Sequence, residues 1–210
     1  MPDELYEIAK SYFENSKGSH DWEHTLRVQN LAMHIGKSEN VDLEVLNSAA
    51  LLHDIGRTEE DRHKGEFCHA KYGSKLASDI LKRYNYSDEF IESVKHCILS
   101  HRFRGEDAPC SKEAKVLFDA DKLDSIGAVG IGRAFLFAGE VGANLHDKNV
   151  DIHNTKPYTK EDTAYREFLV KLCKVKDSMM TKEGKRLAEE RHRFMEEFFK
   201  RLNKEVDGET

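Results

Sequence analysis

Apolar residues recur along most of the chain at steps of three and four, the period of a helix with one buried stripe. Leu5, Ile8, Ala9, Tyr12 and Phe13 predict a short helix over residues 3–15, which Ser16-Lys17-Gly18-Ser19 breaks. A second helix begins near His20 or Asp21, where Asp21 can cap it, and carries Val28, Leu31, Ala32 and Ile35 along one side. A third runs over about 43–54. Residues 57–67 are charged and without period, which predicts a surface loop. Helices follow from about His69, with Gly73, Leu76, Ala77 and Ile80 on one face, and from about Asp88 through Val94, Cys97 and Ile98 to His101. Another, capped by Ser111, buries Ala114, Leu117 and Phe118. Gly127, Gly130 and Gly132 lie in an apolar segment, where small residues suit close helix contact. A long polar loop over 140–157 precedes two final helices near 159–177 and 182–206, and no segment repeats. The pattern predicts an all-α fold in one domain, 1–210, with a core over about 18–124. Helices over about 125–206 pack on that core or form a homodimer contact.

Several buried-face positions are polar. Counting back from His53 by helical steps gives Ala50, Ala49 and Leu46, so His53 extends the apolar face of the third helix, with Asp54 beside it. A carboxylate there is costly without a positive partner, and a metal ion is the simplest one. The same counting puts His24, and His20 one turn earlier, on the inner edge of the second helix. His69, His101 and Asp121 also fall on inward faces, whereas His96 falls on the other side of its helix. Imidazole nitrogen mixed with carboxylate oxygen suits a divalent ion such as manganese, iron, cobalt, nickel or zinc, with magnesium to be tried beside them, and suits calcium poorly. Lys122 and Arg57 are the nearby cations; each either faces an anionic substrate or is a surface charge.

Composition narrows the classes. The 210 residues carry a net charge of −6 with interspersed signs and no basic stripe, which argues against duplex nucleic acid as a partner and leaves room for a small anionic one. No apolar run approaches a membrane span, and the acidic start Met1-Pro2-Asp3-Glu4 lacks the regions of a secretory signal, so a cytoplasmic location is expected. Cys68, Cys97, Cys110 and Cys173 form no Cys-x-x-Cys pair, read as ordinary thiols and offer no structural zinc site. His20 and His24 stand four apart, as in helical zinc peptidases, but Asp21 occupies the place of the required glutamate, and His20 reads better as pocket lining. The glycine segment lacks the Gly-Lys-Ser/Thr of a phosphate loop, and His63, His146 and His153 read as solvated.

The ordered set His24, His53-Asp54 and Asp121 resembles the signature of the HD-domain metal-dependent phosphohydrolases. Its flanks, Ser-His-Asp-Trp-Glu-His-Thr-Leu-Arg-Val, Leu-Leu-His-Asp-Ile-Gly and Asp-Ala-Asp-Lys-Leu-Asp-Ser-Ile-Gly-Ala, are similar to those of the small stand-alone HD hydrolases, over about residues 18–140. The resemblance implies an HD-type helical bundle in which His24, His53, Asp54 and Asp121 hold one divalent metal. His69 and His101 match positions that in some HD families hold a second ion and in others face the substrate phosphate. The implied function is hydrolysis of a phosphate ester or anhydride of a small molecule, a nucleotide among the candidates. In that reading Asp54, His101 and Lys122 are catalytic and His20, Arg57 and His69 bind substrate. The competing classes are an HD-type di-iron oxygenase, a non-catalytic metal-binding sensor or dimerisation module, and a hydrolase of cyclic or guanosine polyphosphates.

Overall fold

The computed structural model describes residues 2–14, 21–63, 68–102 and 107–209. Among them are ten α-helices and one 3-10 helix, with no strand. They fall into two compact units. The first comprises Met1–Asp121 and Met180–Glu183, the second Lys122–Met179 and Gly184–Thr210.

The first unit is built around α3 (Leu43–Leu52). Asp42 starts it by accepting from the backbone N–H groups of Glu44 and Val45. Its composition is apolar on nearly every side, and Val45, Leu46, Ala49, Ala50, Leu51 and Leu52 are all buried. Each large aliphatic among them contributes about 1.5–3 kcal/mol by burial. Around it pack α1 (Pro2–Ser11), α2 (Trp22–Glu39), α5 (His69–Arg83) and α6 (Asp88–Ser100). Trp22 stands edge-on to Tyr6 with ring centres 4.9 Å apart and tilts against Phe13 at 5.6 Å, tying α1 to the start of α2. Asp21 caps α2 by accepting from His24 N–H at 2.9 Å, and Ser111 caps α7 (Lys112–Leu123) by accepting from Ala114 N–H at 3.0 Å.

The expected loop at 57–67 is a helix in its first part, α4 (Arg57–Arg62). It is held by Arg57–Glu60 and Arg62–Glu59 pairs three residues apart, a charge pattern with helical spacing but no apolar stripe to reveal it. Residues 64–67 lie outside the described residues. Asp119, fully buried in α7, accepts from the N–H groups of Met180 and Thr181 and from the Thr181 hydroxyl at 2.7–2.8 Å, which binds Met180–Glu183 into the first unit.

The second unit contains α8 (Gly127–Glu140), α9 (Ala164–Val170), a 3-10 helix (Leu172–Ser178) and most of α10 (Lys182–Val206). The helix expected over 159–177 begins only at Ala164 and gives way at Lys171 to the 3-10 helix. The chain turns through Asp162, whose carboxylate accepts from Tyr158 N–H at 2.8 Å and pairs with Arg166 at 2.7 Å, and Thr163 then caps α9. Phe168 stacks on Phe199 of α10 with centres 4.8 Å apart. His146 is half-buried, with Nε2 2.7 Å from Asn203 Oδ1, rather than solvated; His63 and His153 are exposed. No helix is long and apolar enough to cross a membrane among the described residues.

Candidate metal centre

Four helices of the first unit deliver histidines to one place. The Asp21 cap sets His24 in the first turn of α2; α3 ends at His53; α5 begins at His69; α6 ends at His101. Asp121 comes from α7, and Asp54 from the turn after α3. Two groups result, His24 with His53 and Asp121, and Asp54 with His69 and His101, the ligand atoms of each lying within 4.8 Å of one another. All but Asp121 are buried to 2% exposure or less.

Asp54 joins the groups. Its Oδ2 lies 3.8 Å from both His24 Nε2 and His53 Nε2, and its Oδ1 lies 3.4 Å from His69 Nε2 and 3.5 Å from His101 Nε2. His24 Nε2 is 3.4 Å from Asp121 Oδ1.

The hydrogen bonds fix which nitrogens carry protons. His53 Nδ1–H donates to the Ala50 carbonyl at 2.8 Å, His101 Nδ1–H to the Ile98 carbonyl at 2.6 Å, and His69 Nδ1–H to Glu60 Oε2 at 2.7 Å. A carbonyl or carboxylate can only accept, so in the neutral rings each Nε2 presents a lone pair to the centre. His69 Nε2 and His101 Nε2 thus face each other lone pair to lone pair at 3.3 Å, with Asp54 Oδ1 beside them. Converging acceptors with no proton to share repel unless a cation lies among them. Donor atoms about 2.0–2.1 Å from a common ion are themselves about 3.0–3.5 Å apart, so the 3.3–3.5 Å separations fit a metal centre of imidazole and carboxylate donors. Nε2 of His53, fully buried, has no hydrogen-bond partner among the described residues.

Burial favours the neutral, ligating form of His53 and His69. Desolvation lowers His53 to about 4 although the Asp54 carboxylate pulls the other way. Desolvation lowers His69 to about 2, again against Asp54, with Arg57 adding to the depression.

Arg57, at the start of α4, places Nη2 3.2 Å from His69 Nε2 and 3.5 Å from Asp54 Oδ1. Lys122 follows Asp121 in α7, is half-buried and belongs to neither group. His20 lies outside the described residues. His96 is turned away, its Nε2 accepting from Cys110 N–H at 3.1 Å. Sequence reasoning missed Glu60, which is buried and holds both His69 and Arg57. Its only signal is the three-residue step from Arg57 in a segment that otherwise reads as loop.

The turn carrying Asp54 reaches α5 through Gly56. A Cβ there would stand 2.4 Å from the His69 carbonyl oxygen and 2.9 Å from Gly73 N, both backbone atoms that cannot move aside. Gly56→Ala is therefore expected to push the start of α5 away from the centre. It should destabilise the fold by about 1–3 kcal/mol, read as a lower denaturant midpoint at unchanged slope, and weaken metal retention in the same preparation.

Residues 21–126, which include all members of both groups, match the HD domain family model. Over 204 residues the chain is 37% identical to the uncharacterized protein YpgQ of Bacillus subtilis strain 168, spanning 95% of this chain and 91% of that one. The crystal structure of YpgQ in complex with ADP is similar with a TM-score of 0.76 and 33% identity, covering 100% of both chains. An HD-superfamily hydrolase from Bacillus thuringiensis is similar with a TM-score of 0.78 and 31% identity, over 98% of this chain and 96% of that one. By the match over 21–126 and the likeness along almost its whole length, the chain belongs to the HD domain family and has the fold of its hydrolases.

Proposed function

We propose that this protein is a metal-dependent phosphohydrolase that cleaves a phosphate ester or anhydride of a small molecule, with nucleotides the first substrate class to test. The observation that carries the reading is the convergence of Asp54, four imidazoles and Asp121 on one centre whose lone pairs need a cation. The ADP in the crystal structure of the related YpgQ supports the nucleotide class.

In this reading His24, His53, Asp54 and Asp121 hold a divalent ion. Such an ion would polarise a phosphoryl oxygen and lower the pKa of a bound water toward about 7. The remaining steps belong to the side chains. Asp54, an acceptor on both oxygens, orients the attacking water by taking a hydrogen bond from it. His101 offers the Nε2 lone pair to the centre, so it takes the proton released on attack and returns it to the leaving oxygen. His69, locked by Glu60 as a neutral ring, positions rather than transfers protons. Arg57 and Lys122 supply positive charge for the phosphate oxygens, and His20 is a further candidate for binding substrate.

The test is a screen of phosphorylated metabolites, ADP and other nucleotides included, against protein stripped of metal and reloaded with manganese, cobalt, nickel or magnesium. Metal-dependent release of phosphate or pyrophosphate from at least one substrate is expected; no hydrolysis with any metal would overturn the reading. Two donor groups sharing Asp54 also fit a di-iron oxygenase, which bound iron with oxygen consumption and no phosphate release would identify.

A further inference from the structure

The second unit contains a cavity of about 380 Å³ between α9 and the C-terminal part of α10. One wall is aromatic. Phe168 stacks on Phe199 with ring centres 4.8 Å apart, and Tyr165 lies 6.4 Å from Phe168 and 5.3 Å from Phe199. Phe199 is 1% exposed and Phe168 7%, so the rings form a fixed slab. Asn203 holds Tyr165 in line, its amide N–H donating to the Tyr165 hydroxyl at 3.4 Å while its Oδ1 accepts from His146 Nε2 at 2.7 Å. The wall is therefore formed before anything binds.

The rest of the lining is charged. Lys200 and Lys204 stand one turn apart on α10, and neither forms an ion pair among the described residues. Carboxylates of the same stretch are engaged elsewhere: Glu205 accepts from Arg201 Nε at 2.6 Å, and Asp207 pairs with Lys148. Glu196 also lines the cavity, one turn before Lys200, but faces His192 Nε2 at 3.3 Å. Two lysines and one glutamate leave the lining at a net +1, with both cations toward the C-terminal end of the helix. In a chain of net charge −6 that is a local reversal of sign, and it attracts anions.

We propose that this cavity is a second binding site, for a small planar aromatic anion: the ring packs against Tyr165, Phe168 and Phe199, and the carboxylate or phosphate it carries meets Lys200 and Lys204. A flat ring gains most from a wall of this kind, because aromatic pairs prefer offset or edge-on contact. Ammonium groups add charge-assisted hydrogen bonds to the anionic end. The volume stands near the lower end of the usual range for small-molecule pockets, about 300–1,000 Å³, which suits one ring system rather than a long ligand. The site belongs to the second unit and the metal-donor groups to the first, so the inference does not depend on the reaction proposed above.

The experiment titrates the Mn2+-loaded protein with anilinonaphthalene sulfonate, a planar aromatic anion that fluoresces when its rings leave water. Saturable binding of about one dye per chain is expected. Lys200→Gln combined with Lys204→Gln keeps the stems and removes the charge, and it should weaken the dye at least about tenfold. Both lysines are exposed, so the circular dichroism of the double variant should match wild type. Competition then identifies the anion: displacement by benzoate assigns an aromatic carboxylate, displacement by AMP a ring beside a phosphate. Inorganic phosphate has the charge without the ring and adenosine the ring without the charge; each should compete at least about tenfold less well. The proposal is overturned by absence of saturable binding, by affinity unchanged in a folded double variant, or by failure of both benzoate and AMP to displace the dye. Displacement by phosphate or adenosine as readily as by the better anion overturns it too, and if the double variant does not fold, these competitions on wild type decide alone.

Discussion

Asp54→Ala is expected to reduce hydrolytic turnover by at least ~10^3-fold, more than 4 kcal/mol of transition-state stabilisation on the usual rate scale. The magnitude follows from how many partners lose a common acceptor. Asp54 Oδ2 faces His24 and His53 while Oδ1 faces His69, His101 and Arg57, so one truncation removes the carboxylate between both donor groups. It also removes one of the two carboxylates that face Arg57, leaving Glu60 to hold the guanidinium. Asp54→Asn separates shape from charge. The amide fills the same space but presents an N–H to imidazoles that already offer lone pairs in a fixed tautomer, and it cannot accept on both arms. Its activity should therefore fall nearly as far as that of Asp54→Ala, while its circular dichroism stays that of wild type. The comparison requires kcat and KM on the best substrate of the screen, with metal content measured on the same samples. An Asp54→Asn protein retaining a tenth or more of wild-type turnover would show that the carboxylate is not at the reacting centre.

The residues of the centre were readable because each breaks a helical stripe. His24, His53, His69, His101 and Asp121 sit where the period calls for an aliphatic side chain, and a polar group there is a local contradiction that only a partner resolves. The helical period also gave the fold class, and the caps at Asp21 and Ser111 were legible as side chains at the start of their stripes. Glu60 was not legible for the converse reason: α4 is six residues long, has no buried stripe of its own, and owes its helix to charge pairs and to the turn it follows. The break between residues 159 and 177 was hidden as well. Apolar spacing continues across it; the helix starts only after Asp162, whose carboxylate accepts from a backbone N–H upstream and pairs with Arg166 downstream, and it gives way at Lys171 to the 3-10 helix. Neither partner is fixed by spacing alone. The division of roles within the centre is likewise tertiary, since it depends on which Asp54 oxygen faces which helix and on an arginine that sequence assigns equally well to a phosphate or to solvent.

Removing the metal should cost the fold as well as the reaction. Five of the six donor residues are buried to 2% exposure or less, and they come from α2, α3, α5 and α6 and from the turn after α3; α7 contributes the sixth, Asp121. Without an ion the lone pairs of these rings and the buried Asp54 carboxylate are held together against their mutual repulsion, which the Arg57 guanidinium offsets in part. Unfolding relieves that repulsion by returning the groups to water. An ion that binds the folded centre alone stabilises it by about 2.7–4.1 kcal/mol at 100 to 1,000 times its dissociation constant. For a chain of this size, about 2–4 °C per kcal/mol converts that to roughly 5–16 °C in thermal midpoint. Scanning calorimetry of stripped protein, with and without saturating Mn2+, should show a shift in that range. The shift should be largely lost in His53→Ala, which removes a buried donor from the first group and leaves Arg57 in place on the second. A midpoint unchanged by metal in wild type would mean that the donors tolerate one another without a cation, and the lone-pair argument for the centre would fail with it.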